Sequence, residues 1–116
     1  MAAIADQAAR LIFYSTAVPH AGREHLAETM ARLAPGGLGK VFFCNSGAEA
    51  NENLLGMARR KTGRTTVVTM LGGWHGRTAA TLACTDGARY EAGAPRAGVP
   101  LSRKVPFNVL GMLTTP

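Results

Sequence analysis

Two short apolar segments, each followed by a glycine-containing turn and a helical pattern, constrain the fold of this 116-residue chain most strongly. Residues 41–44 are wholly apolar, and residues 66–70 are rich in β-branched side chains. Runs of this kind are typical of strands that are buried on both faces. Strands that alternate with helices through short turns form a parallel sheet covered by helices. The sequence therefore predicts an α/β fold.

The helical segments are predicted from apolar periodicity and from the residues at their ends. Leu26, Met30 and Leu33 recur at i, i+4 and i+7, which predicts a helix over residues 22–33. Gly63 is placed to end a second helix, over residues 47–62, whose apolar face is formed by Ala50, Leu54, Met57 and Ala58. The remaining predictions are helices over residues 2–12 and 77–84, a loop over residues 87–100 and a strand over residues 103–107.

The charge balance favours anionic ligands. The chain has 13 Lys and Arg against 7 Asp and Glu, a net charge of +6, and such an excess attracts phosphates, anionic substrates or nucleic acid. The basic residues are scattered, however. Their one cluster, Arg59-Arg60-Lys61, lies where a helix is predicted to end, and cations there complement the helix dipole. No nucleic-acid partner is therefore expected.

The cysteines and histidines lack the spacing of a metal site. Cys44 and Cys84 are far apart, so buried reduced thiols are expected. His20, His25 and His75 share no ligand spacing with them, and no metal is expected. No apolar run is long enough to span a bilayer, and the first residues lack the features of a signal peptide. The sequence thus predicts a cytoplasmic protein without a membrane partner.

The first candidate site is the turn Asn45-Ser46-Gly47-Ala48-Glu49, where a helix is predicted to begin. The first N–H groups of a helix lack partners within it, and the helix dipole adds positive potential there. Such an end binds anions; Gly47 allows a phosphate to approach the backbone, and Ser46 offers a hydroxyl. Ser46 and Glu49 also match a capping box, which needs no ligand and which spacing alone favours. Dinucleotide-binding and P-loop spacings are absent.

The second candidate site is Gly72-Gly73-Trp74-His75-Gly76, which follows the second predicted strand. Ligands of parallel sheets bind at the carboxyl ends of the strands, so both loops are expected to open on one edge. Trp74 is then placed to stack on a planar ligand, although a single tryptophan is more often a core or interface anchor. His75 is a candidate acid–base group, although a lone histidine more often makes a structural hydrogen bond.

Residues 43–52 and 73–78, taken together, resemble the class III aminotransferases, which are fold-type I enzymes that use pyridoxal 5'-phosphate. The first block reads Phe-Cys-Asn-Ser-Gly-Ala-Glu-Ala-Asn-Glu and the second Gly-Trp-His-Gly-Arg-Thr. Two motifs in register are more specific than either alone. The resemblance covers about residues 10–107. It implies transfer of an amino group between an amino acid or amine and a 2-oxo acid, and a homodimer for the full-length enzyme.

The resemblance implies roles at matching positions only. Ser46, Gly47 and Ala48 would hold the cofactor phosphate, the last two through backbone N–H groups. Trp74 would stack on the pyridine ring, and His75 belongs to the same loop.

The resemblance also suggests a division of the chain into three parts. Residues 1–35 would form an N-terminal helical segment with the substrate entrance and the dimer-interface stretch, residues 36–107 part of the large PLP-binding domain, and residues 108–116 an unassigned tail. The expected sheet has parallel-type strands that alternate with helices.

The family's catalytic residues have no match here. The family's cofactor-binding lysine, and the aspartate that pairs with the pyridinium nitrogen, lie far downstream in a longer chain. The lysines of this chain are Lys40, Lys61 and Lys104, and none lies in the sequence context of that lysine. The chain therefore resembles an N-terminal fragment, without catalytic residues and inactive alone. Two alternatives stay open. One is a pseudoenzyme or nonfunctional gene fragment, and the other is a small basic binding module for acidic partners.

Overall fold

The computed structural model describes residues 1–92 and 102–113, and these belong to two units, Met1–Phe42 and Phe43–Pro116. The first unit contains helices alone, whereas the second combines helices with a small sheet. No helix in the described ranges is long and apolar enough to cross a membrane.

The first unit contains helix α1 (Ala2–Arg10) and helix α2 (Ala21–Leu33). The prediction for residues 22–33 is confirmed by α2. His20 caps its beginning, since the imidazole Nδ1 accepts a hydrogen bond from the Arg23 N–H at 3.3 Å. Helix α1 ends two residues before its predicted end, since the backbone becomes extended at Leu11. Neither helix buries a residue.

The second unit alternates helices with short strands. In chain order its elements are α3 (Gly47–Thr62), β1 (Val68–Met70), α4 (Ala79–Cys84), α5 (Ala88–Glu91), β2 (Arg103–Val105) and a 3₁₀ helix (Leu110–Leu113). Strands β1 and β2 pair in parallel, with Val68 opposite Arg103 and Met70 opposite Val105. The predicted fold class, parallel-type strands that alternate with helices, is confirmed.

The strand predicted over residues 41–44 is wrong. This segment has no regular secondary structure, and the Phe42 side chain is 68% exposed. A strand is held by hydrogen bonds to a neighbouring strand, and the sheet in the described part of the chain contains β1 and β2 alone. An apolar run thus indicates a tendency to be buried. It forms a strand only where another strand is available to pair with it.

Two further predictions need correction. A loop was predicted over residues 87–100, but helix α5 occupies the first part of this range. Residues 93–100 lie outside the described residues. The predicted apolar face of α3 is exposed at all four positions, Ala50, Leu54, Met57 and Ala58, because α3 contacts α4 through polar and small residues on another face. In the unassigned tail, the 3₁₀ helix forms, and residues 114–116 lie outside the described residues.

The core of the second unit lies between α4 and the sheet. Its buried residues are small: Thr69, Ala80, Thr81, Ala83, Cys84, Thr85 and Val105. The Thr69 hydroxyl donates to Ser102 Oγ at 3.1 Å, and the Ser102 hydroxyl donates to the Ala83 carbonyl at 2.8 Å. These two hydroxyls therefore join β1, the start of β2 and α4 through paired polar groups.

The cysteines and the basic cluster behave as ordinary structural residues. Both thiols are free; Cys84 is buried as predicted, whereas Cys44 is half-buried. Burial raises the pKa of the Cys84 thiol, which keeps it protonated and unreactive. The basic cluster lies in the last turn of α3, where it complements the helix dipole.

Candidate functional site

The first candidate site is the beginning of helix α3. Ser46 has an extended backbone, and its Oγ accepts a hydrogen bond from the Glu49 N–H at 3.2 Å. The Glu49 carboxylate turns back and accepts from the Asn45 N–H at 2.7 Å. The predicted capping box therefore forms with a shift of one residue, since Glu49 serves Asn45 instead of Ser46.

The cap leaves part of the helix end available. Among the residues that the structure describes, the N–H groups of Gly47 and Ala48 find no acceptor. A Cβ built on Gly47 would meet no atom within 4 Å, so the space beside this backbone is open. Capping and anion binding are therefore compatible at this helix end.

The two candidate loops line one cavity of about 560 Å³. The five predicted site residues, Ser46, Gly47, Ala48, Trp74 and His75, all lie in its wall, which Asn51, Gly76, Arg77 and Thr78 complete. Both loops therefore open on the same side of the second unit, although residues 41–44 form no strand. A volume of this size is within the range of small-molecule sites.

The second loop is held by the end of helix α4. The His75 N–H donates to Thr85 Oγ1 at 3.0 Å, and the Thr85 hydroxyl donates to the Gly76 carbonyl at 3.0 Å. Gly76 has φ +133°, and a Cβ built there would lie 2.7 Å from Ala48 Cβ and 2.7 Å from Thr81 Oγ1. Glycine at this position thus allows the second loop to lie directly against the first turn of α3.

Trp74 is not a core residue. Its side chain is 57% exposed, and its ring makes a T-shaped contact with the Tyr90 ring at a centroid distance of 5.1 Å and an interplanar angle of 76°. The Arg89 guanidinium lies 5.5 Å from the centroid of the Tyr90 ring. An exposed indole in a cavity wall can stack on a planar ligand, which a buried anchor cannot do.

His75 contributes to the site through its backbone. Its carbonyl accepts a hydrogen bond from Asn51 Nδ2 at 2.9 Å, and its N–H is bonded to Thr85. The imidazole Nε2 is buried and has no hydrogen-bond partner within residues 1–92 and 102–113. No group of three His, Cys, Asp or Glu side chains in the same ranges could hold a metal ion.

Glu52 is a site-supporting residue that the sequence analysis missed. Its Oε1 accepts hydrogen bonds from the N–H groups of Ala80 at 2.7 Å and Thr81 at 3.4 Å, and so caps helix α4 from α3. Burial would raise the pKa of Glu52. Hydrogen bonds from the Thr78 side chain and the two N–H groups, together with the Arg59 charge, outweigh burial and hold its pKa below the ordinary 4.5.

Glu52 is expected to make stability depend on pH in the acid range. Because its pKa is lower in the folded chain, its contribution is complete above about pH 4.5 and is lost as pH falls through the lowered folded value. Glu52→Gln keeps an acceptor but removes the charge, and is expected to cost about 1 kcal/mol at pH 7. Urea unfolding of both proteins from pH 7 to pH 3 measures this difference. A difference that does not shrink in acid would contradict the assignment.

Comparisons with known proteins match the chain to one family. A family model described as "Aminotransferase class-III" matches residues 1–112. The chain is 43% identical over 117 residues to acetylornithine aminotransferase 1 of Bordetella parapertussis, covering 95% of this chain and 28% of that protein. It is 40% identical over 94 residues to acetylornithine aminotransferase of Bacillus subtilis, covering 77% of this chain and 24% of that protein.

Solved structures give the same result for the fold. An (S)-enantioselective omega-transaminase from Thermomicrobium roseum has a TM-score of 0.77 and 26% identity, covering 90% of this chain and 25% of that chain. An omega transaminase from Pseudomonas jessenii, solved in complex with PMP, has a TM-score of 0.75 and 30% identity, with the same coverages of 90% and 25%. The chain spans about a quarter of the length of these four proteins.

Proposed function

Because this chain belongs to the class III aminotransferase family, we propose that it forms the phosphate-binding and ring-stacking part of a pyridoxal-phosphate site. The complete site would transfer an amino group between an amino acid or amine and a 2-oxo acid. Pyridoxal phosphate is the cofactor of this family. The observation that carries the proposal is the cavity that open helix N–H groups and an exposed tryptophan line together.

The phosphate end of the cavity fits the group in charge and in shape. The N–H groups of Gly47 and Ala48 are available, and the sixteen-residue helix α3 adds the positive end of its dipole. Ser46 Oγ already accepts from Glu49, which leaves its O–H proton for a phosphate oxygen. The space above Gly47 is where such a phosphate would lie.

The ring end of the cavity fits a flat aromatic group. Trp74 supplies an exposed indole in the same cavity wall as the helix end, and its T-shaped contact with the Tyr90 ring supports it. When bound, pyridoxal phosphate supplies a carbonyl and an electron sink for the amino-group transfer. The residues described above bind its phosphate, orient its ring and exclude water from its face.

We further propose that this chain lacks catalytic residues and is inactive alone. Lys61 and Lys104, the lysines of the second unit, are absent from the cavity wall, and Lys40 lacks the sequence context of the family's cofactor-binding lysine. Cofactor would therefore be held here by hydrogen bonds and stacking, without a covalent anchor.

Binding of pyridoxal phosphate tests the proposal directly. The wild-type chain is expected to bind it saturably but weakly, and Trp74→Ala to weaken binding about tenfold by removing the stacking face. Isothermal titration calorimetry measures both, and Phe107→Ala is the control because Phe107 is an exposed aromatic residue outside the cavity wall. Equal affinities for Trp74→Ala and wild type would remove the stacking role, and no saturable binding by the wild type would overturn the proposal.

Borohydride trapping tests the absence of a catalytic lysine. After treatment with pyridoxal phosphate and borohydride, mass spectrometry of the peptides is expected to find only sparse modification spread over several amines. A stoichiometric adduct at Lys40, Lys61 or Lys104 would show that the chain carries its own cofactor-binding lysine.

We propose a cytoplasmic homodimer for the full-length enzyme. The exposed apolar face of α3, and in the other unit helices α1 and α2, which bury no residue, support association, because exposed apolar patches mark interaction sites. The chain alone is expected to associate or aggregate with rising concentration in sedimentation velocity. A stable monomer with a cooperative melt would contradict this expectation.

A further inference from the structure

We propose that Asn51 is a positioning residue that fixes the Trp74 ring at the cavity, acting through the His75 carbonyl. The inference rests on the proposed function, because the ring position matters for a cofactor that stacks on it. Asn51 Nδ2 donates to the His75 carbonyl at 2.9 Å, across 24 positions of sequence. This contact joins the helix that carries the phosphate end to the loop that carries the ring.

This hydrogen bond constrains Trp74 because it holds the backbone of the next residue, His75. Thr85, at the end of α4, holds the His75 N–H, so α4 fixes one side of the peptide backbone next to Trp74. Asn51 holds the carbonyl on the other side of the same residue, from α3. The separation between the α3 end and the indole is therefore set by Asn51 as well as by packing.

The indole needs such support from its backbone. Trp74 is 57% exposed, and its ring makes a T-shaped contact with the Tyr90 ring, so side-chain packing constrains the indole weakly. Asn51 is half-buried and lies in the same cavity wall. Asparagine is a poor helix former, and the hydrogen bond to the loop gives a physical reason for its presence within α3.

Tryptophan fluorescence tests the inference in the ligand-free chain. Trp74 is the single tryptophan of the sequence, so the signal reports on this ring alone. Asn51→Ala is expected to lower its steady-state anisotropy and to increase its quenching by acrylamide. The matched control is Asn53→Ala, because the Asn53 amide donates to the Glu49 carbonyl at 2.9 Å within α3 itself. Equal anisotropy and quenching in the two variants would overturn the positioning role.

Binding of pyridoxal phosphate and of inorganic phosphate distinguishes a failure of this inference from a failure of the proposed function. Asn51→Ala is expected to raise the Kd for pyridoxal phosphate about three- to tenfold, the effect of one hydrogen bond, while the Kd for inorganic phosphate stays unchanged. General damage to the site would weaken both ligands alike and would overturn the inference. If the wild type binds no pyridoxal phosphate, the proposed function fails, whereas the ligand-free fluorescence still decides whether Asn51 holds the indole.

A second variant and a measurement on the wild type cover the case in which Asn51→Ala fails to fold. Asn51→Asp keeps the shape of the side chain, but a carboxylate cannot donate to the His75 carbonyl, so the same loosening of Trp74 is expected. In the wild type, NMR cross-peaks between the Asn51 side-chain amide protons and the backbone protons of His75 and Gly76 are expected. Their absence would overturn the inference without any variant.

Discussion

Gly47→Val is expected to abolish saturable binding of pyridoxal phosphate while the chain stays folded. The valine side chain would enter the open space beside the first turn of α3, where the phosphate is proposed to lie. Loss of the hydrogen bonds from the N–H groups of Gly47 and Ala48 corresponds to about 3 kcal/mol, roughly a hundredfold in Kd. Calorimetric titration with pyridoxal phosphate and with inorganic phosphate measures the loss.

The fold should tolerate this change, for two reasons. Gly47 is not among the residues with positive φ, so a β-branched residue can adopt its backbone conformation. Apart from its chain neighbours and the backbone of its own helix, a Cβ at this position would also meet no atom within 4 Å. Gly56→Val is the matched control, because Gly56 lies in the same helix with equally open space but outside the cavity wall. Unchanged affinity in Gly47→Val would show that no phosphate binds over this backbone.

Gly76→Ala is expected to destabilise the second unit by about 2–6 kcal/mol. The backbone at φ +133° strains any residue with a Cβ, which costs about 1–3 kcal/mol. The new methyl group would also lie 2.7 Å from Ala48 Cβ and from Thr81 Oγ1, and relief of such overpacking adds about 1–3 kcal/mol. Urea unfolding monitored by circular dichroism gives the free energy of unfolding of both proteins.

Gly72→Ala is the control for this prediction. Gly72 lies in the same loop with φ +73°, but a Cβ there would meet no atom within 4 Å. Its expected cost is about 1 kcal/mol, from backbone strain alone. Similar losses in the two variants would mean that Gly76 and Ala48 do not pack as closely as the structure indicates.

Features that depend on neighbouring residues could be predicted from the sequence. Both ends of α3 agree with prediction, because Ser46 caps its beginning and Gly63 ends it with φ +70°. Each end is decided by the chemistry of one turn of chain. The juxtaposition of the two candidate loops was also predicted, but from two parallel strands of which only the second forms; the close contact of Gly76 with Ala48 holds the loops together instead.

Features that depend on distant partners could not be predicted. Residues 41–44 have the composition of a buried strand, yet strand formation depends on a partner elsewhere in the chain. Periodicity likewise identified the apolar face of α3, whereas its contacts with α4 and the second loop involve Asn51 and Glu52. The available signal was the run of polar residues Asn51, Glu52 and Asn53 inside a helix. The structure shows the first two partly buried, where polar groups need partners.

The contact between Ala48 and Gly76 restricts how this chain can change during evolution. Position 76 already has the smallest side chain, so an enlargement at position 48 cannot be offset by a reduction opposite it. In most protein cores a larger residue at one position can be compensated by a smaller residue at its neighbour, which preserves the volume. Positions 48 and 76 cannot make this exchange. Substrate preference can diversify at other positions around the cavity, while these two stay confined to the smallest residues as long as the loops remain in contact.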